Sequence, residues 1–346
     1  MSIENQLLKW YLINKRDLPW RQNKDPYSVW ISEIILQQTR ISQGTQYYNN
    51  FMKRFPNIEK LSISKESEVL KVWQGLGYYN RAINLHKTSK EIFNNLKGIF
   101  PSRYEDLIKL KGIGDYTASA ISSICFDEYN PVVDGNVLRF LARYYGIKDP
   151  IDSKKTQNRV KEIGKKLIDK TDSPGDFNQA MMEFGALICT PFPDCNSCVL
   201  SSKCEALNKN EVEKLPVKLR KKKIKERFLN YIVLIDTKNN TIVEKRFEKD
   251  IWFKLNQFPL IETNFKVDDI MRVSSFKKFI NSQKITIKSN KYSRYNVKHI
   301  LSHQILHITF HKFKTEKVIS SGVKLSQLSH YNFPVPINNF INKKLF

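Results

Sequence analysis

The chain has 346 residues, 41% of them hydrophobic, which suffices for packed cores and excludes wholesale disorder. At this length two domains are expected rather than one. The 58 Lys and Arg against 34 Asp and Glu leave a net charge of +24, which favours a polyanionic partner but alone does not separate DNA-binding from ribosomal, tRNA-binding or membrane-surface proteins. The opening stretch, MSIENQLLKWYLINKRDLPW, reads as an amphipathic helix with Leu7, Leu8, Tyr11 and Leu12 on one face. It has neither the apolar core nor the cleavage site of a signal peptide, and no stretch approaches the roughly 20 apolar residues that span a bilayer. A cytoplasmic, nucleoid-associated location without a membrane partner is the expectation.

Residues 1–208 read as nearly all helical. Asp25-Pro26 opens a helix, with a capping carboxylate and proline at the first helical position, that carries Tyr27, Trp30, Ile31, Ile34 and Ile35. Ser64 to Gln74 forms another, stopped by Gly75-Leu76-Gly77, and residues 79–97 a third, ended by Gly98. Ser102-Arg103-Tyr104-Glu105 has the form of a capping box opening a short helix. This ends at Lys111-Gly112-Ile113-Gly114-Asp115, a new helix runs through Ala118 to Phe126, and others are expected at 135–145, 155–169 and 175–188. Residues 209–227 are charged and apolar-poor, a basic linker. Beyond it FLNYIVLIDT, NTIVEKRF, KITIKS and ILHITFHKF are short β-branched runs, with a hairpin turn at Asn239-Asn240 and a final helix near 336–345. The expected fold is thus multidomain: an all-α domain at 1–208, then an α+β domain at 228–346.

Three constellations carry chemistry. The two glycines of Lys111-Gly112-Ile113-Gly114-Asp115, between helices, let the backbone turn tightly and bring amide N–H groups to a phosphate beside a helix N-terminus. This is the helix-hairpin-helix pattern, a grip on DNA without sequence preference; the plain alternative is an ordinary αα-turn. Secondly, four of the five cysteines form the array Cys189-x5-Cys195-x2-Cys198-x5-Cys204, which suggests metal ligation, whereas Cys125 reads as a core residue. Finally, Glu33 is flanked on its helix by Trp30 and Ile34, so burial would raise its carboxyl pKa, although a lone Glu on an amphipathic helix is usually a surface residue. Asp134 could simply cap the helix beginning at Gly135.

LKGIGDYTASAI, followed by VVDGNVLRFLAR, resembles the endonuclease III superfamily of DNA glycosylases, and WISEIILQQTR is similar to the active-site helix of the MutY family of adenine DNA glycosylases within it. The resemblance implies a helix-hairpin-helix glycosylase domain, with a six-helix module near 25–134 and the N-terminal helix plus 135–208 as the cluster module. It implies Glu33 as the acid that protonates adenine and Asp134 as the stabiliser or transient nucleophile at the sugar, with Tyr116 and Asn136 hydrogen-bonded around the pair. Bifunctional superfamily members carry a Lys where this chain has Tyr116, so a monofunctional, water-using enzyme is implied. Arg21 resembles a residue of the adenine pocket, Gln38 and Thr39 resemble residues facing the opposite base, and Leu76 and Tyr78 resemble the wedge that props the duplex open. The cysteines resemble a [4Fe–4S] loop, with five residues where the first spacing usually has six; a zinc site of four cysteine thiolates is the alternative.

VKHILSHQILHITFHKF resembles the family's Nudix-like C-terminal domain, in which Ser302 and His303 match the pair that touches oxidised guanine; Leu301 stands where Phe is common. Without a Glu-rich Nudix box in 226–346, pyrophosphatase activity is not expected. The implied substrate is double-stranded DNA with adenine opposite 8-oxoguanine or guanine, handled by a monomer in base excision repair. Two other readings remain: a thymine or uracil mismatch glycosylase, and a catalytically silent damage binder.

Overall fold

The computed structural model describes residues 1–219 and 224–345; residues 220–223 of the basic linker expected at 209–227, and Phe346, lie outside the described residues. Two compact units emerge: Met1–Val72 with Arg81–Lys221, and Trp73–Asn80 with Lys222–Phe346.

Among its described residues the first unit has helices and no strand, the α-helices being α1 Ile3–Asn14, α2 Pro26–Leu36, α3 Ile41–Arg54, α4 Ile58–Ser62, α5 Glu66–Val72, α6 Asn80–Asn95, α7 Tyr104–Leu107, α8 Asp115–Phe126, α9 Gly135–Tyr144, α10 Lys154–Ile168, α11 Pro174–Leu187 and α12 Glu205–Asn208. Helix α2 packs on α3 and α8, and α11 on α1, α8 and α9. One core joins the chain's beginning to its middle: Leu7, Trp10 and Tyr11 of α1 lie with Phe140 and Leu141 of α9 and Phe177, Met181 and Phe184 of α11. Of the face expected on α1, Leu7 and Tyr11 are buried and Leu8 packs against the core, and only Leu12 departs from it. Leu12 is 62% exposed, while Trp10 and even Glu4 are buried.

Local chemistry explains several boundaries. Asp25 caps α2 by accepting from the Ser28 amide, with Pro26 at the first position, as the sequence indicates. The capping box at Ser102 does not form. Arg103 is the capping residue of α7 without a side-chain bond, and the Tyr104 amide is satisfied from a distance by Glu128, at 2.9 Å. The helix expected from Ser64 to Gln74 is shorter, Glu66–Val72.

The second unit is built on a mixed four-stranded sheet in the order β5-β1-β7-β6, where β1 is Lys225–Ile235, β5 Leu260–Thr263, β6 Ile287–Ile300 and β7 Gln304–Thr315. Strands β1 and β7 run parallel and the outer pairs antiparallel. The run NTIVEKRF breaks into β2 Asn240–Thr241 and β3 Glu244–Lys245, which pair with β8 Val323–Lys324 and β4 Asn256–Gln257. Side-chain alternation divides β1 between two cores. Leu229, Tyr231 and Val233 face a layer with Phe340 of α14 (Val335–Phe340), and Ile232 and Leu234 face Phe276 and Ile280 of α13 (Ser274–Ser282). Cover on both faces is why β1 reads as one apolar run. The final helix ends at Phe340 and passes into a wider π turn, Ile341–Leu345. Among the described residues no helix is long and apolar enough to cross a membrane.

Candidate active site

Glu33 sits on α2 at 8% exposure, between the buried Trp30 and Ile34. Burial pushes its carboxyl up to about 7. The Asp134 carboxylate adds to the rise, while the Tyr116 hydroxyl and the Arg21 charge oppose it. These four groups come from four different parts of the first unit, which the fold brings to one place.

Asp134 does cap α9. One carboxylate oxygen accepts from the Asn136 and Val137 amides at 2.9 and 2.7 Å, and the other from the Asn136 side chain at 2.8 Å. Burial raises its pKa, and those three donors pull it back. Tyr116, in the first turn of α8, donates to Met182 Sδ of α11 at 3.5 Å, and burial lifts its phenol well above the ordinary value. Asn136 Oδ1 accepts from Arg139, which also donates to the Gly185 and Cys189 carbonyls. Helices α9 and α11 touch closely there: a Cβ at Gly185 would stand 2.7 Å from the Asn136 carbonyl oxygen.

Arg21 ends a short 3-10 turn, Pro19–Arg21, and points back to Glu183 of α11, a residue sequence reading passed over. One Glu183 oxygen accepts from Arg16 N and Nε at 3.0 and 2.7 Å, and the other from Arg16 Nη2 and Arg21 Nη2, both at 2.8 Å. Burial would raise Glu183, but the two guanidiniums outweigh it and hold it at about 2. Its signal in the sequence is only a Glu among apolar residues in QAMMEFGAL, which nothing local ties to Arg16 or Arg21.

The glycine turn between α7 and α8 forms. Gly112 adopts φ +81° with its Cβ position 2.7 Å from Asn84 Cβ, so a side chain is excluded there twice over, and Gly114 is the capping residue of α8. Beside it an open cleft of about 460 Å³ is lined by Asp115, Asp134, Gly135, Gln157, Lys154 and Lys161, with the Lys161 ammonium paired to the Asp115 carboxylate. Gln38 and Thr39 follow α2, whose last carbonyls at Ile34, Ile35 and Gln37 accept from Arg81. Gln38 is exposed with φ +57°.

Four further candidate DNA-contacting residues belong to the second unit. In the loop 73–80, Leu76 is buried and Tyr78 is 44% exposed. Leu301 N donates to Gln304 O across the turn between β6 and β7, which presents Ser302 and His303 to solvent. The Ser302 and Tyr78 hydroxyls are 2.6 Å apart. His303 Nδ1 lies 3.3 Å from Ser302 Oγ, and its Nε2 lies 3.0 Å from Gln304 Nε2, while Arg227 donates to Gln304 Oε1 at 3.4 Å.

Cys189, Cys195, Cys198 and Cys204 line one apolar cavity with Phe140, Phe184 and Leu200. Among the described residues no three His, Cys, Asp or Glu stand close enough to share one metal ion. Burial pushes the Cys198 thiol up to about 11 and raises Cys189 and Cys195. Arg143, 4% exposed, reaches Cys189 Sγ at 3.6 Å and donates to the carbonyls of Thr190, Pro191, Val212 and Leu215. Cys125, partly buried in α8, takes no part in this cavity.

Comparison with known proteins places two family models along the chain: HhH-GPD superfamily base excision DNA repair protein over residues 31–166, and NUDIX domain over 230–343. The adenine DNA glycosylase of Buchnera aphidicola subsp. Schizaphis graminum is 38% identical over 97% of this chain and 96% of its own length. That of Buchnera aphidicola subsp. Acyrthosiphon pisum is 37% identical over 97% and 95%. Among solved structures, a thermostable thymine-DNA glycosylase matches with a TM-score of 0.55 and 28% identity, covering 60% of this chain and 95% of that one.

Proposed function

The chain belongs to the adenine DNA glycosylase family, and from that premise we propose that it releases adenine from 8-oxoguanine or guanine mispairs by acid-assisted hydrolysis, leaving an abasic site. What supports the mechanism is the buried Glu33 carboxyl, whose pKa burial and the Asp134 charge raise, together with a second carboxylate that accepts from three N–H donors.

The base must leave the stack to enter such a pocket. Glu33, protonated, gives its proton to a ring nitrogen of adenine, so the glycosidic electron pair departs with a neutral purine. Positive charge then develops on the sugar, and the Asp134 carboxylate stabilises it electrostatically or by transient bonding. Water adds to C1′ and its proton returns to the ionised Glu33. Tyr116 cannot form an imine with the sugar, so no strand cleavage accompanies base release. Tyr116 and Asn136 orient the carboxylates, and Arg21 borders the adenine. The turn at Gly112 and Gly114, with Lys154 and Lys161 alongside, holds phosphates. Gln38 and Thr39 meet the opposite base, Leu76 and Tyr78 act as the wedge that props the duplex open, and Ser302 and His303 read the oxidised guanine.

The four cysteines fit a [4Fe–4S] cluster, which takes one thiolate per iron around a shared cavity, whereas zinc would draw all four sulfurs to about 2.3 Å from one centre. The buried Arg143 guanidinium supplies positive charge where thiolates would collect. Such a cluster would serve as a structural brace for the loop 189–204. The enzyme acts as a monomer and, since its substrate is chromosomal, with the nucleoid in the cytoplasm.

The test is single-turnover base release from duplexes carrying adenine opposite 8-oxoguanine, adenine opposite guanine, and thymine or uracil opposite guanine. Fast adenine release, quickest opposite 8-oxoguanine and without nicking until alkali is added, is expected. Release of a pyrimidine would overturn the substrate, and no release would turn the reading toward a silent binder. Iron and acid-labile sulfide near four each per chain are expected on analysis; one zinc per chain would replace the cluster.

A further inference from the structure

We infer that Glu183 is a positioning residue for adenine release: it anchors the Arg21 guanidinium beside the Glu33 pocket and cancels a charge that would otherwise draw the proton off Glu33. The inference rests on Glu33 being the acid, and extends it to a residue with no part in the chemical step.

The geometry carries it. Arg21 is 14% exposed at its side chain and Glu183 is 1% exposed. A buried carboxylate with four donors on it cannot reorient without leaving charges unpaired, so it fixes its partners as firmly as they fix it. Arg21 is further held by its donation to the Arg16 carbonyl at 3.2 Å and by lying over the Tyr11 ring, 5.7 Å from its centre. The Arg21 charge nonetheless bears on Glu33. An uncompensated guanidinium there would favour the ionised carboxyl, the wrong state for an acid. Arg16, Arg21 and Glu183 together carry one net positive charge, and without the carboxylate they carry two. The other ionisable groups facing Glu33 are Tyr116 and Asp134, with Cys125 further along α8; those facing the Arg21–Glu183 pair are Tyr11 and Arg16, with Asp176 bearing on Tyr11 from the start of α11.

The experiment is the pH profile of single-turnover adenine release by the whole enzyme, with Glu183→Gln, Glu183→Asp and Arg21→Met beside the parent. The parent should release adenine at a constant rate at low pH and fall off above about 7. Glu183→Gln keeps the shape and removes the charge, so its fall-off should begin about one pH unit lower, making it about tenfold slower on the alkaline side while near parental in acid. Glu183→Asp restores the charge and should return the fall-off to the parental pH. Arg21→Met should move it the other way, to higher pH, which gives a second test if the glutamine variant does not fold. A fall-off that stays put in Glu183→Gln, with the rate unchanged or lowered equally at every pH, overturns the inference, as does an unmoved one in Arg21→Met. A parent without any alkaline fall-off instead sinks the assignment of Glu33 as acid, and a parent that releases no adenine sinks the function itself.

Discussion

The pocket around Glu33 and the turn at Ser302 and His303 solve opposite problems with similar means. In the first, polar groups are taken out of water and every one is tied to others: Asp134 to three donors, Glu183 to two guanidiniums, Glu33 to a wall of apolar side chains. In the second, Ser302 and His303, the side chains proposed to read the opposite base, stand in solvent at the end of a hairpin, and order comes from behind, through the buried Gln304 and Arg227. Acid catalysis needs a shifted proton affinity, which only desolvation or close charges provide. Reading a base needs access, which an exposed turn on a buried support provides.

The sharpest way to break this contrast is Glu33→Gln. It keeps the shape and removes the proton, so single-turnover release should fall by about 10²–10⁴-fold, with duplex binding unchanged in a gel-shift assay. Burial has a second consequence, opposite in sign. Folding raises the Glu33 pKa from 4.5 to about 7, so the folded state holds the proton more tightly. Its contribution to stability is fully present below about 4.5 and is lost as pH rises through 7. At pH 8 the charged carboxylate destabilises the fold by on the order of 2–3 kcal/mol. Glu33→Gln should therefore raise the melting temperature at pH 8 and leave it unchanged at pH 4, and an inactive variant that is also less stable at pH 8 would mean that Glu33 is not buried in the folded enzyme.

Asp134→Asn separates the cap from the chemistry. Asparagine caps a helix about as well as aspartate, so stability should change by less than about 1 kcal/mol, while loss of the charge should slow release by about 10²–10³-fold. Equal losses of stability and rate would reduce Asp134 to a cap.

The same contrast explains what could be seen without the structure. Glu33, Asp134 and Tyr116 sit in strings whose neighbours announce them: a capped helix with apolar flanks, a glycine turn, a helix start. The short β-branched runs that form β1 and β7 are likewise local signals. What stayed hidden depends on pairs far apart in the chain. Glu183 reaches Arg16 and Arg21 over 167 and 162 positions, and Glu128 binds the Tyr104 amide, 24 residues away, where the Ser102 cap was expected. Leu12 read as core because α1 was judged alone, yet α11 and α9 decide its buried side and choose Trp10. At the cysteine loop the shortened spacing was legible, but not Arg143, which lies 46 residues before Cys189.

The smallest expected effect lies at the hairpin. Arg227 is clamped by Glu262 and Asp250 at 2.6 Å and donates to Gln304 Oε1. The Gln304 amide nitrogen is then left facing His303 Nε2 as a donor, so that ring nitrogen accepts and the ring proton sits on Nδ1, toward Ser302 Oγ. The serine hydroxyl, accepting from the ring, is left to donate to the Tyr78 hydroxyl 2.6 Å away. Removing the reader, as in His303→Ala, should cut the preference for 8-oxoguanine over guanine by about fivefold to tenfold, the worth of roughly one hydrogen bond. Removing only its support, in Gln304→Leu, should cut it by about threefold, with the rate opposite plain guanine unaltered in both. If Gln304→Leu matches the parent while His303→Ala loses the preference, the histidine reads without help from behind; if both match the parent, the exposed turn is not the reader, and the contrast between a buried chemical site and an exposed recognition site loses its second half.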